Sequence, residues 1–216
     1  MLGKVYKCHY PNDTVKTARG ARQSPLYNRL KARGAYFRDV SGFESADWFT
    51  LDGAPPPPEM NAPTWSRPAW FPIVKEEVNA CREGVILLDM SFMSKFHVHG
   101  RSAGDLLNKL STANVDGDSG RITYTQWLNE RGTLEADLTI TKLGEDDFFV
   151  VATDTAHRHV QTHMLRHAGK MGPDCAVSVN DVTSGYAQIN VQGPLSRQLM
   201  QKVTDTDMSD EAFPFR

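Results

Sequence analysis

Tyr124-Thr125-Gln126-Trp127-Leu128-Asn129-Glu130-Arg131-Gly132-Thr133-Leu134-Glu135-Ala136-Asp137-Leu138-Thr139-Ile140 is the stretch from which the architecture can be read. Residues 122–128 and 134–140 are rich in β-branched and aromatic side chains, and Asn129-Glu130-Arg131-Gly132 between them is a turn ending in glycine. That predicts a hairpin. Strand alternation puts Glu135, Asp137 and Thr139 on one face and Leu134, Ala136, Leu138 and Ile140 on the other. A carboxylate inside such a run, as at Asp137, either marks the wet face or sits in a cleft, where it meets a cationic or N–H-bearing ligand and stabilises developing positive charge. Tyr124, on the partner strand, is either a cross-strand packing residue or a ring for a planar ligand with a hydroxyl to spare.

Outward from the hairpin the pattern alternates between groups of strands and single helices. Upstream, residues 72–82 are amphipathic and stop at Gly84; 85–88 form a short apolar run, 95–99 alternate, and 103–110 repeat at helical spacing. Downstream, 148–151 read as a strand, Asp154 as the cap of a helix to about His167, 176–182 and 186–191 as two strands, and Gly193-Pro194 as the start of a helix through Val203. Strands in adjacent groups favour an α+β fold with a mostly antiparallel sheet over a doubly wound parallel one.

Residues 1–53 read as an extension with one helix, capped by Ser24 with Pro25 at its first position. Its aromatics Tyr36, Phe37, Phe43, Trp48 and Phe49 need a surface, which either the main domain or a neighbour would provide. Residues 54–69, with Pro55 to Pro58 and Pro63, read as a stiff connector. The domain proper is expected over 70–216. Phe213, Pro214 and Phe215 just before the last residue read as a cut in the middle of something.

The 216 residues are 40% hydrophobic and 23% charged, with a formal net charge of −2. That composition excludes a disordered chain and offers no basic stripe for nucleic acid and no field for a membrane surface. No apolar run reaches the roughly 20 residues of a bilayer span, and Met1 to Tyr10 contain no apolar signal core. Cys8, Cys81 and Cys175 are odd in number and far apart, which speaks against a disulfide framework and for a reducing compartment. The expected location is the cytoplasm, or the mitochondrial matrix in a eukaryote.

The motif Tyr124-Thr125-x-x-Leu128-Asn129-x-Arg131-Gly132, followed by Asp137-Leu138-Thr139-Ile140, resembles the folate-site hairpin of the glycine-cleavage T-protein (aminomethyltransferase) family. Other stretches resemble that family in the same order: 88–96 its opening Asp-x-Ser strand pair, Asn180-Asp181-Val182-Thr183 and Ile189 to Ser196 its Gln-Gly-Pro helix start, and 209–215 the sarcosine dehydrogenase version of the next segment. Arg22 to Tyr27 and Gly42 to Phe49 are similar to the region where the flavoprotein half of sarcosine and dimethylglycine dehydrogenases meets the folate domain. T-proteins carry paired aspartates where this chain has Ala136 and Asp137; the dehydrogenase branch also lacks the first.

The resemblance implies an α+β, T-protein-like folate-binding domain, first half only, behind the tail of a flavoprotein oxidoreductase. It implies a parent enzyme that oxidises an N-methyl amine of the sarcosine or dimethylglycine kind with FAD, held in a missing N-terminal part, and passes the iminium or formaldehyde equivalent to tetrahydrofolate. Asp137 matches the catalytic aspartate. Tyr124, Ala152, Thr153, Asp154 and Met93 match folate-contacting positions. The implied partners are the small-molecule amine, folate, and a flavoprotein subunit or domain, with neither nucleic acid nor membrane. This chain has no GxGxxG dinucleotide fingerprint, and it lacks the family's downstream strands that grip the pterin. The alternative is a non-catalytic T-protein-like interaction or regulatory module. A second rival is metal chemistry: His159, His163 and His167 recur at i, i+4 and i+8, a spacing that can chelate. No HExxH accompanies them, so they read as a solvated helix face and no metal site is assigned.

Overall fold

The computed structural model describes Tyr6, Cys8, 16–62 and 64–214. Pro63 of the connector, the terminal Phe215 and Arg216, and nearly all of Met1 to Tyr10 lie outside the described residues. In chain order the elements are β1 (Arg22–Gln23), α1 (Tyr27–Lys31), β2 (Ala35–Val40), β3 (Phe43–Phe49), α2 (Phe71–Glu83), β4 (Ile86–Asp89), β5 (Ser94–His99), α3 (Ala103–Leu110), β6 (Ile122–Leu128), β7 (Leu134–Gly144), β8 (Asp147–Ala152), α4 (His157–Lys170), β9 (Ser178–Asp181), β10 (Ile189–Gln192) and α5 (Ser196–Gln201). They fall into two units, one comprising the residues up to Met90 and those from Ile189 on, the other Ser91–Gln188.

The Ser91–Gln188 unit is built on the expected hairpin. Its sheet has the order β6-β7-β8-β5-β9, and every pairing in it is antiparallel. Alternation sends Phe96, Val98, Trp127, Leu138, Ile140, Phe148 and Val150 to one face, where Leu106 and Leu107 of α3 and Val160 and Met164 of α4 meet them. Each of these large side chains is essentially withdrawn from water, which stabilises the fold by about 1.5–3 kcal/mol apiece before the entropy cost. Trp127 brings its indole N–H to Ser111 Oγ at 3.0 Å, so its one polar atom is satisfied within the core. The helix expected to start at an Asp154 cap begins instead at His157. Asp154–Ala156 form a 3₁₀ turn, and among the described residues no side chain caps either segment.

In the other unit, residues 16–53 carry strands of their own. β2 and β3 form an antiparallel hairpin whose turn residues, Ser41 (φ 50°) and Gly42 (φ 86°), both take the left-handed conformation that matches strand twist. β1 joins β3 in parallel. Trp48 is buried and stacks on Tyr36 with ring centroids 5.0 Å apart, and Phe43 is buried too, so these aromatics find their surface within the chain. Buried Glu44 accepts Arg19 Nε at 2.8 Å and the Gly20 N–H at 2.6 Å. The prolines do not run straight: Pro58–Asn61 close a 3₁₀ turn, and the Asn61 amide donates to the Tyr36 hydroxyl. α2 ends at Gly84 as its sequence predicts, while β4 and β10 pair antiparallel as a separate two-stranded sheet. The architecture is thus mixed helix and mostly antiparallel sheet. Among the described residues no helix is long and apolar enough to cross a membrane.

Candidate functional site

Register decides what can meet Asp137. β6 and β7 pair Gln126 with Asp137 and Tyr124 with Thr139, on the sheet face opposite α3 and α4. Gln126 Nε2 donates to Asp137 Oδ1 at 3.2 Å. The same carboxylate raises the pKa of the Tyr124 phenol above the usual tyrosine value. Tyr124 is 63% exposed and Asp137 is exposed as well. The site therefore presents an open aromatic face beside a carboxylate oriented by an amide.

The neighbouring strands extend this row. The last β7–β8 pair is Leu138 with Ala152, and the last β5–β8 pair is Ser94 with Ala152. One step further along each ladder, Thr153 follows Asp137 and Met93 follows Thr153. Thr153 and Met93 thus lie one residue past the ends of β8 and β5, and Asp137 one residue before Leu138 on β7. The Thr153 carbonyl accepts Ser94 Oγ at 3.2 Å, and its hydroxyl lies 3.4 Å from Asp154 Oδ1. The Met93 carbonyl accepts Lys95 Nζ at 2.8 Å, and the same ammonium reaches the Ser91 carbonyl at 3.0 Å. Lys95 is only 2% exposed. A buried ammonium is tolerated only when it is hydrogen-bonded, and here its bonds pin the Met93 turn.

Five of the six positions assigned from the sequence therefore lie on or just past neighbouring strands of one sheet: Tyr124 is two residues along β6 from Gln126, the partner of Asp137, and Met93, Thr153 and Asp154 lie just outside β5 and β8. Ala152 differs: its methyl is buried in the helix-side core, leaving only its backbone to offer a ligand. Gln126 and Lys95 were not singled out from the sequence. Pairing with Asp137 signals the first, and a lysine inside a run of strand residues could have signalled the second.

Glu135 departs from simple alternation. Trp127 pairs with Ala136 and Leu128 with Leu134, so Glu135 is the extra residue of a β-bulge. Rather than sharing the Asp137 face, its carboxylate meets α4: Oε2 accepts His159 Nε2 at 2.6 Å, and Oε1 accepts Asn129 Nδ2 at 2.8 Å. The Asn129 amide, then His159, hold the Glu135 carboxyl below the ordinary range. The histidine row is not the solvated face its spacing suggested. His159 is exposed, but His163 is 7% exposed, stacks on Trp127 at 5.8 Å and lies against the tilted ring of His167 at 4.6 Å. Burial first, and the neighbouring His167 second, push the His163 imidazole below its usual pKa.

The profile of the GCVT N-terminal domain family matches residues 26–216. The chain is 39% identical over 212 residues to 4-methylaminobutanoate oxidase (formaldehyde-forming) of Paenarthrobacter nicotinovorans, covering 98% of this chain and 25% of that protein. It is 32% identical to the mitochondrial pyruvate dehydrogenase phosphatase regulatory subunit of Mus musculus (97% and 24% covered) and 28% identical to mitochondrial sarcosine dehydrogenase of Homo sapiens (98% and 27% covered). It thus spans about a quarter of the length of these relatives. The solved glycine cleavage system aminomethyltransferase T of Bartonella henselae shares the fold, with a TM-score of 0.66 and 21% identity over 84% of this chain and 43% of that one. The match over residues 26–216 makes this protein a member of the GCVT N-terminal domain family.

Proposed function

We propose that this chain carries the tetrahydrofolate-binding face of an FAD-dependent N-methyl amine dehydrogenase of the sarcosine or dimethylglycine type. In this reading residues 1–53 are the tail of the flavoprotein part, 54–69 the connector and 70–216 the first half of the folate domain. The flavin lies outside the chain, in a flavoprotein domain or subunit, and the setting is the cytoplasm or, in a eukaryote, the mitochondrial matrix. The observation that carries the reading is the placement of Tyr124, Gln126 and Asp137 on one open sheet face, with Gln126 in register with Asp137. Two relatives whose names denote N-methyl amine oxidation support the substrate class.

The residues present fit such a ligand. The exposed Tyr124 ring offers a flat surface for a pterin, and Asp137 offers an acceptor to N–H groups. Tetrahydrofolate, when bound, supplies the nitrogens that take up a one-carbon unit at the oxidation level of formaldehyde. Asp137 orients those N–H groups and favours positive charge as it develops beside them. Gln126 fixes the carboxylate by donating to Oδ1. Tyr124, its pKa raised, keeps its phenolic proton at neutral pH and remains a donor. Lys95 holds the Met93 turn in position through two backbone carbonyls.

Calorimetric titration of the purified chain with tetrahydrofolate, beside Asp137→Ala, tests this. Saturable binding that weakens about tenfold or more in the variant is the expected result, equivalent to about 1.4 kcal/mol. A well-folded chain that takes up no folate overturns it. That outcome would advance the second reading, a non-catalytic regulatory module, which the 32% identity to a phosphatase regulatory subunit favours.

A further inference from the structure

Behind the hairpin, on the sheet face away from Asp137, three side chains offer metal-ligand atoms within 4.8 Å of one another: Glu135, His159 and His163. They come together for separable reasons. His159 and His163 lie one helical turn apart on α4, which points both rings the same way. Glu135 reaches them only because the β7 bulge removes it from the Asp137 face.

We propose that Glu135, His159 and His163 form a site for a zinc-class divalent transition-metal ion. Two imidazoles and a carboxylate are a donor set of the kind that holds zinc with one position left for water. Hard cations such as magnesium or calcium prefer all-oxygen cages and are not expected. Among the described residues His163 Nε2 is buried without a hydrogen-bond partner, an arrangement that costs free energy unless something occupies the nitrogen. Asn129 Nδ2 donates to Glu135 Oε1, the outer support that aims a ligating carboxylate and leaves Oε2 for the ion. The exposure of His159 gives the ion a way in from solvent.

Binding replaces the shared proton of the His159–Glu135 hydrogen bond. Ligand atoms around a tetrahedral zinc sit about 3.3 Å apart. The His159–Glu135 pair must open slightly from 2.6 Å. The exposed His159 side chain can make that movement. Once held, the ion ties the bulge of β7 to α4 and acts as a brace across the back of the hairpin. The site does not depend on the folate reading, since it uses none of the same side chains.

The test uses the whole chain, free of any polyhistidine tag and stripped with a chelator. Zinc binding is measured by competition with a chromogenic chelator, and cobalt(II) uptake by its visible absorption. One ion per chain is expected, with cobalt giving the intense bands of a four-coordinate site. Glu135→Gln and His159→Ala should each weaken zinc at least about tenfold, while His99→Ala, outside the cluster, should leave affinity unchanged. His163→Gln removes a buried ring and can unfold the unit, so the exposed His159 variant carries the test. Absence of saturable binding, or equal affinity in the Glu135 and His159 variants and the parent, overturns the proposal whatever the folate titration shows.

Discussion

Trp127 shows how much one side chain in this protein carries. It is fully buried, its indole donates to Ser111 Oγ, and its ring faces His163. Trp127→Ala leaves a cavity between the hairpin and α4 and should cost about 3–5 kcal/mol, read as a large drop in the urea midpoint. Asp137, two strand positions beyond the bulge at Glu135, is exposed. Asp137→Ala should leave that midpoint within about 0.5 kcal/mol of the parent. Any loss of folate binding in it is then a loss at the site and not of the fold. At this scale the sequence was informative where strict alternation holds: it placed Asp137 and Thr139 opposite the core and Tyr124 on the partner strand. It failed at Glu135, because a one-residue bulge leaves no mark in a period-two pattern. It failed at His163 because histidine spacing fixes which residues share a helix face but not whether that face is wet.

At the scale of the element, the helices α2 and α3 and the strands β5 to β10 follow the hydrophobic periodicity to within a few residues. The β2–β3 hairpin did not show itself. Its strands carry Arg38, Asp39, Glu44 and Asp47, so no alternating apolar stripe is visible, and the pair that neutralises Glu44 comes from Arg19, 25 residues away. Contacts of that range are not written in any local window. The Gln192-Gly193-Pro194 turn, by contrast, was legible as a helix start, and its glycine has a definite cause. Gly193 has φ 127°, and a Cβ there would stand 2.3 Å from the Gly84 carbonyl oxygen at the end of α2. The Leu195 N–H donates to that same oxygen at 3.1 Å. Gly193→Ala should therefore destabilise the protein by about 2–4 kcal/mol, lowering Tm by several degrees in a thermal melt.

At the scale of the whole molecule, stability should respond to acid through Glu44. The Arg19 hydrogen bond holds its carboxyl below the ordinary glutamate value. A group with a depressed folded pKa contributes its stability above the unfolded value of about 4.3, and loses it as pH falls through the folded one. Glu44→Gln should be less stable than the parent at pH 7, and the gap should narrow below about pH 4. Urea titrations at several pH values, followed by tryptophan emission, will show this. Glu77 works in the opposite sense. Burial raises its pKa, so its contribution is full in acid and declines as pH rises through the folded value. Glu77→Gln keeps an acceptor for the Phe49 N–H and should flatten that decline.

The chain leaves its first unit after β4, builds residues 91–188, and re-enters at β10, which pairs with β4 from Asp89 to Ile189. Ser91 Oγ, at the start of that intervening stretch, accepts the Gln188 N–H at its end, at 3.1 Å. The excursion therefore closes its own entrance. On a ribosome, residues 91–188 can fold as soon as they emerge, and in doing so they bring the two severed strands of the first unit side by side. Joining β4 to β10 across so long an unfolded loop carries a closure cost that rises with the logarithm of its length; across a folded one it resembles closing a short hairpin. Assembly then has a built-in order, with the hairpin unit first and its host second.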